Sequence, residues 1–220
     1  MKKLLIVGGK GSGEIAMSVF EDINKVKKEW SLEGYLTDIL PEGELLGNYK
    51  VIGPTTAVEY YASKGYYVHY ALHFNALKKE ERVHKLQMLN IPLELHATGI
   101  HPLAYVNPST EIGHGVLMLP NSATSFGPKI GNFIHIYTGA FIGHDAVISD
   151  YTTLAAQSII GGRVLLEEGV HFGLNAVVRE DLTIGKYSII GMGAVVTKSV
   201  AAYDIVAGNP ARKLRNLHDK

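Results

Sequence analysis

The chain has 220 residues, no cysteine, 10 histidines, and 21 Lys plus Arg against 21 Asp plus Glu. The balanced charge offers no broadly basic face to a nucleic acid, and the lack of cysteine excludes disulfides and thiol nucleophiles. The length suits two domains better than one.

The opening Met1-Lys2-Lys3-Leu4-Leu5-Ile6-Val7-Gly8 is basic and then apolar, but its apolar run is too short for a signal peptide. No stretch approaches the roughly 20 apolar residues of a membrane span. A soluble cytoplasmic protein with no membrane partner is expected.

Residues 1–100 read as a small α/β domain. Leu4-Leu5-Ile6-Val7 resembles a buried parallel strand. Gly8-Gly9-Lys10-Gly11-Ser12-Gly13 follows, after which Ile15, Ala16, Val19, Phe20, Ile23 and Val26 fall on one helical face. A second strand is expected over 32–36, running into Thr37-Asp38, and the segment from Asp38 to Gly43 carries turn chemistry. Val51-Ile52 ends at Gly53-Pro54, and Thr55 is expected to cap a short helix reaching about Tyr60. A further apolar run covers 66–72, an amphipathic helix 76–89 and a last strand 91–95. Alternating strands and helices predict a small Rossmann-like parallel sheet.

Glycines between a strand and a helix suit a phosphate, because the backbone can approach an anion and the helix N-terminus offers unpaired N–H groups. The spacing Gly8-x-x-Gly11-x-Gly13 departs from the dinucleotide fingerprint G-x-G-x-x-G. No second mononucleotide-binding half follows, so a single nucleoside diphosphate fits the domain better. The competing reading is a glycine turn that only packs helix on strand.

His101-Pro102 marks the junction, with no long linker, so the two parts should pack together. From Val106 to Val196, every sixth residue is apolar at fifteen of sixteen positions, Thr124 being the exception. Glycine follows at Gly113, Gly131, Gly143, Gly161, Gly173, Gly185 and Gly191. Neither a helix nor an ordinary sheet has a period of six, whereas hexapeptide repeats build a parallel β-helix. Three hexads make one triangular coil, so residues 18 apart should stack. The expected organisation is an α/β domain over 1–100, a left-handed parallel β-helix over 101–200 and a C-terminal cap over 201–220. The α/β domain is expected to cover one open end of the coil and the tail the other.

Stacking arithmetic sorts the histidines. His135 and His171 are two coils apart, with Thr153 between, hence roughly 10 Å from one another at strand spacing. That is too far for one metal ion within a chain. The γ-type carbonic anhydrases are similar in repeat type and in such a pair, but they use a further histidine where this chain has Ala176. No metal site is expected. His144 ends a strand in Ile142-Gly143-His144-Asp145, and 18 residues on comes Gly162. An imidazole is a general base near neutral pH, and a neighbouring carboxylate orients it. A glycine one coil away leaves space and a backbone N–H for a developing oxyanion. Base and donor one coil apart suit acyl transfer; a surface histidine beside a surface aspartate is the plainer reading.

An α/β domain with the Gly8–Gly13 loop, then His101-Pro102, hexads carrying Gly143-His144-Asp145, and finally Gly208-Asn209-Pro210-Ala211-Arg212 resembles the bacterial sugar acyltransferases. These include nucleotide-amino-sugar N-acetyltransferases and sialic acid O-acetyltransferases. The resemblance covers nearly the whole chain. It implies a direct transfer from acetyl-CoA to the amine of a nucleotide-linked 4-amino-deoxy sugar in glycan or O-antigen synthesis. His144 then matches the catalytic base and Asp145 its orienting acid, while Gly162 matches the glycine whose amide meets the thioester carbonyl. Gly208, Asn209, Pro210 and Ala211 match the segment flanking coenzyme A. Gly8, Gly9, Lys10, Gly11, Ser12 and Gly13 match the sugar-nucleotide phosphate site, with Thr37 and Asp38 near the base. A homotrimer with active sites between subunits is implied as well. Ser12 stands where many relatives carry histidine, and Thr37 where they often carry a second aspartate. A sugar hydroxyl as acceptor, or a non-catalytic nucleotide-binding trimer, are the alternatives.

Overall fold

The computed structural model describes residues 1–71 and 76–219. Strand β1 (Lys2–Val7) leads through the glycine loop into helix α1 (Ser12–Val26) and back to β2 (Trp30–Leu36). Then come β3 (Leu45–Leu46), β4 (Tyr49–Gly53), α2 (Val58–Ser63), β5 (Tyr67–Tyr70) and α3 (Lys79–Gln87). The sheet order is β3-β4-β2-β1-β5, parallel except for the β3–β4 hairpin. Leu4, Leu5 and Ile6 are fully buried, as an apolar run at the centre of a doubly covered sheet should be.

Three expectations for this part are corrected. Residues 91–95 form no strand: Leu93–Leu95 is a 3-10 turn after Pro92, which has no N–H for a ladder and a fixed φ. Beyond it, among the described residues, a single bridge joins Val68 to His96. Thr55 does not cap its helix; its N–H and hydroxyl both donate to the Asp38 carboxylate, at 2.9 and 2.5 Å. The helix over 76–89 is shorter, a 3-10 turn at Ala76–Lys78 and then α3. Leu72, the end of the apolar run over 66–72, lies outside the described residues.

The hexads form a prism with three sheets. The first face stacks Glu111–Ile112, Lys129–Ile130, Val147–Ile148, Leu165–Leu166 and Thr183–Ile184. The second runs from Gly99–Ile100 through Leu117–Met118, His135–Ile136, Thr153–Leu154, His171–Phe172 and Ile189–Ile190. The third stacks Ala123–Thr124, Phe141–Ile142, Ile159–Ile160, Val177–Val178 and Val195–Val196. Every pairing is parallel and in the register of one coil, for example Phe141 with Ile159 and Ile142 with Ile160. The second residue of each strand points in, and Ile136, Ile142, Leu154, Ile160, Leu166 and Phe172 are fully buried. Thr124, the one polar hexad residue, is equally buried, because its hydroxyl is satisfied by the Asn107 N–H and by Thr110.

The sharp corners fall three residues after each buried position. From Gly115 to Gly193 that residue always has positive φ, as at Asp145 (55°), Arg163 (57°) and Asp181 (61°). The glycines directly after the buried residues serve another purpose. A β-carbon at Gly143 would lie 2.6 Å from the Gly161 carbonyl carbon, so glycine there is what lets one coil sit on the next.

The repeat extends one hexad further back than Val106. Ile100 pairs with Met118, so the coil begins before the His101-Pro102 junction. At the far end Val206 pairs with Ile190 after a linkage two residues short of a full coil. Arg212–Asn216 then closes that face as an antiparallel strand on Asp204–Ala207. The α/β part lies along the side of the prism rather than over its end. Its residues pack on the second face: His135 meets the Tyr70 carbonyl at 3.0 Å, the Lys79 ammonium donates to Thr153 Oγ1 at 2.9 Å, and Leu117 joins the core of α1. His101 staples the junction, its Nε2 to Asp22 of α1 at 2.9 Å.

Candidate functional site

Each corner of a triangular coil turns on a left-handed residue, and the amide just before that residue stays outside the coil-to-coil ladder. At Asn132 and Lys186 that amide is taken by a carboxylate, Asp150 and Glu167 respectively. At the corner between the third and first faces the equivalent residues are His144 and Gly162. A β-carbon at Gly162 would lie 2.4 Å from His144 Nε2. The imidazole therefore lies over the glycine, as expected for residues one coil apart.

His144 Nδ1 is 2.9 Å from Asp145 Oδ2. A carboxylate only accepts, so Nδ1 carries a proton, and in the neutral ring Nε2 is then left with the lone pair. Two further residues complete the corner, neither of them expected from the sequence. Arg163 Nη1 sits 3.3 Å from Nε2, while its Nε and Nη2 fork onto both Asp181 oxygens at 2.6 and 2.7 Å. The guanidinium holds the Asp181 carboxyl below its ordinary pKa, and the carboxylate holds the guanidinium above its own. The available signal was opposite charge at an 18-residue spacing in the left-handed corner positions. His144, Asp145, Arg163 and Asp181 are all about half exposed, so ligands can reach the imidazole.

The glycine loop is elsewhere. Lys10, Gly11 and Ser12 line a cavity of about 770 Å3 between α1 and the second face, together with Tyr137, Thr153 and His171. Gly13 packs its backbone on Gly8, where a β-carbon would approach the Gly8 carbonyl carbon to 2.9 Å. Gly11 donates its N–H to the Glu14 carboxylate at 3.0 Å, so one amide of the helix N-terminus already has an anion. Lys79 is buried beside this cavity, and burial pushes its ammonium down to about 7.

Thr37 and Asp38 do not open on that cavity. Thr37 is buried, its Oγ1 in the space where a Gly9 β-carbon would fall. Asp38 lines a second cavity of about 470 Å3 with Thr55, Thr56, Arg82 and an apolar wall including Val58, Leu86 and Leu89. Gly208, Asn209, Pro210 and Ala211 form the turn between the last two strands, with a cis Asn209–Pro210 bond. The turn pairs with the end of the third face, Val195 donating to the Gly208 carbonyl and Ala211 to that of Val195. Ala211 lines a third cavity of about 340 Å3 with Lys198 and Arg212.

His135 and His171 both pair with Thr153, one coil on either side. Among the described residues no group of three or more His, Asp or Glu side chains has the spacing to hold a metal ion, and no helix is long and apolar enough to cross a membrane.

The two candidate regions lie on different sides of the prism. The α/β part covers the second face, and the His144 corner is the edge opposite that face. None of the residues lining the glycine-loop cavity belongs to that corner.

No protein-family model and no curated protein matches the sequence, but solved structures do. The acetyltransferase domain of PglB from Neisseria gonorrhoeae aligns over 97% of this chain and all of its own, at 24% identity and a TM-score of 0.83. It has also been solved in complex with acetyl coenzyme A. A mutant of perosamine N-acetyltransferase from Caulobacter crescentus, in complex with CoA and GDP-perosamine, aligns over 98% of both chains at 23% identity and a TM-score of 0.83. WeeI from Acinetobacter baumannii is 30% identical over 97% of this chain and 100% of its own, with a TM-score of 0.80. With its hexad coil, its stacked His144 and Gly162 and this full-length likeness, the chain belongs to the bacterial sugar acyltransferases built on hexapeptide repeats.

Proposed function

We propose that this acetyltransferase moves an acetyl group directly from acetyl-CoA to the amino group of a nucleotide-linked 4-amino-deoxy sugar, in bacterial glycan synthesis. The observation that carries the reading is the corner itself: an imidazole with its lone pair on Nε2, oriented by Asp145, lying over Gly162. As the amine nitrogen attacks the thioester carbonyl, Nε2 takes its proton, and the Gly162 N–H is the donor for the developing oxyanion. The C–S bond then breaks, and the proton on Nε2 passes to the departing sulfur. No covalent enzyme intermediate is needed. The acceptor must arrive as a free amine, because an ammonium has no lone pair to attack with.

The rest of the chain follows from that chemistry. Residues 1–100 hold the nucleotide, with the Gly8–Gly13 loop for the phosphates and Asp38, in the neighbouring cavity, for the base; buried Thr37 backs the loop behind Gly9. Residues 101–200 carry the acetyl-CoA side, with Gly208 to Ala211 of the tail flanking the cofactor beside the cations Lys198 and Arg212. The glycine loop and His144 lie on opposite sides of one prism, so a complete site takes the loop of one subunit and the corner of its neighbour. The third face supports this. Its outward residues Ala123, Phe141, Ile159, Val177 and Val195 are all apolar, and Phe141 and Ile159 are 39% and 46% exposed. A closed homotrimer buries such faces against one another.

The test is turnover and binding with acetyl-CoA and a panel of UDP-, dTDP- and GDP-linked 4-amino sugars, each beside its 4-hydroxy counterpart. Acetylation of an amine is expected, with His144→Asn lowering kcat roughly 100-fold or more while both substrates still bind. Normal turnover by His144→Asn removes the base, and transfer only to the hydroxyl sugars changes the acceptor class.

A further inference from the structure

The resting geometry poses a conflict at the base. An imidazole nitrogen has one in-plane lone pair, and at Nε2 of His144 that lone pair already faces Arg163 Nη1 at 3.3 Å. A guanidinium has donors only, so this contact is a hydrogen bond given to the atom that a general base must keep open. The same contact agrees with the Asp145 pairing: both require the proton on Nδ1. Arg163 is not a loose surface side chain. Its Nε and Nη2 are clamped on Asp181, and the planar fork then sets where Nη1 points. Arg163 and Asp181 both occupy left-handed corner positions, one coil apart, so the backbone brings them to the same edge.

We propose that Arg163 is a positioning residue that gates His144. Anchored by Asp181, it holds the ring in the tautomer with Nε2 as acceptor and occupies that lone pair until an incoming N–H displaces it. The acceptor substrate and Arg163 compete for one site, so Arg163 sets how readily the base is engaged and Asp181 sets how firmly the gate is held. This inference rests on His144 acting as the base, but the contact itself can be measured without turnover.

The probe is diethyl pyrocarbonate, which ethoxycarbonylates an imidazole nitrogen through its free lone pair. The full chain, free of ligands and at mildly alkaline pH, is treated briefly and the rate at His144 read by peptide mass spectrometry. Arg163→Ala is expected to raise that rate about two- to fivefold, the range for an exposed charged contact. Asp181→Asn is a gentle second variant, since asparagine tolerates the left-handed conformation; it should raise the rate too, by less. The other histidines serve as internal standards and should not change. A His144 rate that is unchanged or slower in Arg163→Ala overturns the gate, as does an equal rise at every histidine, which would report loosening of the fold. With a working acceptor, Arg163→Ala is also expected to lower its KM, and a raised KM likewise overturns the gate. Turnover of His144→Asn tests the base separately, so failure of one does not imply failure of the other.

Discussion

His144 and Gly162 share one column of the coil so closely that a single methyl group at Gly162 would overlap the imidazole, 2.4 Å from Nε2. Gly162 does not need a left-handed backbone, so alanine there is a purely spatial insult. The ring is half exposed and will swing away from Asp145 instead of breaking the coil. Gly162→Ala is expected to lower kcat roughly 100-fold, the share a positioned base supplies, with the thermal midpoint nearly unchanged. A variant that melts well below the native chain would show that the glycine serves the fold instead.

Asp145 has two duties, orienting His144 and turning the corner at φ 55°. Asparagine keeps the corner but can offer an N–H to Nδ1, which favours the wrong tautomer. Asp145→Asn is expected to fold normally and lose roughly 10- to 100-fold in turnover. Asp145→Val is expected to lose stability as well, because a β-branched side chain resists positive φ. Circular dichroism melts beside the activity assay separate the two effects.

Lys79 is buried between the α/β part and the second face, its ammonium donating to Thr153 Oγ1 and the Val170 carbonyl. Burial lowers its pKa from 10.5 to about 7. Between those values the unfolded chain binds more protons than the folded one, so this group makes stability rise with pH across that window. The contribution is smallest below about pH 7, where the buried group must carry charge. Melting midpoints of the native chain should climb relative to Lys79→Met from pH 7 to 10, at fixed protein concentration. Parallel curves would show that Lys79 stays charged.

Phe141 and Ile159 stack on the exposed third face. If that face is the subunit contact, Phe141→Glu with Ile159→Glu places charges directly opposite neighbouring apolar surface. Sedimentation should then show monomers in place of trimers, with acetyl transfer lost although His144 is intact. A trimer that survives both changes points to another face.

The coil was legible because its physics is periodic. Residues 18 apart must meet, and for His135, Thr153 and His171, as for His144 and Gly162, they do. The corner glycines and polar residues were less legible, since a left-handed position accepts glycine, asparagine, aspartate and even Phe133 or Tyr151 once neighbours pack against them. Arg163 and Asp181 stand at such positions, so residue type alone does not mark them as a pair. In the α/β part, residues 91–95 read as a strand by apolarity, but Pro92 and the adjoining coil decided otherwise. Thr55 has the chemistry of a cap, but a carboxylate 17 residues away takes its hydroxyl instead.

The sequence by itself determined the repeat, its register, the helical face of α1 and the pairing of His144 with Gly162, because each depends on spacing along the chain. Only the tertiary structure decided which face of the prism the α/β part covers. That choice depends on contacts between residues far apart in sequence, such as Tyr70 with His135 and Lys79 with Thr153. It leaves the His144 corner on the far edge, away from the glycine loop.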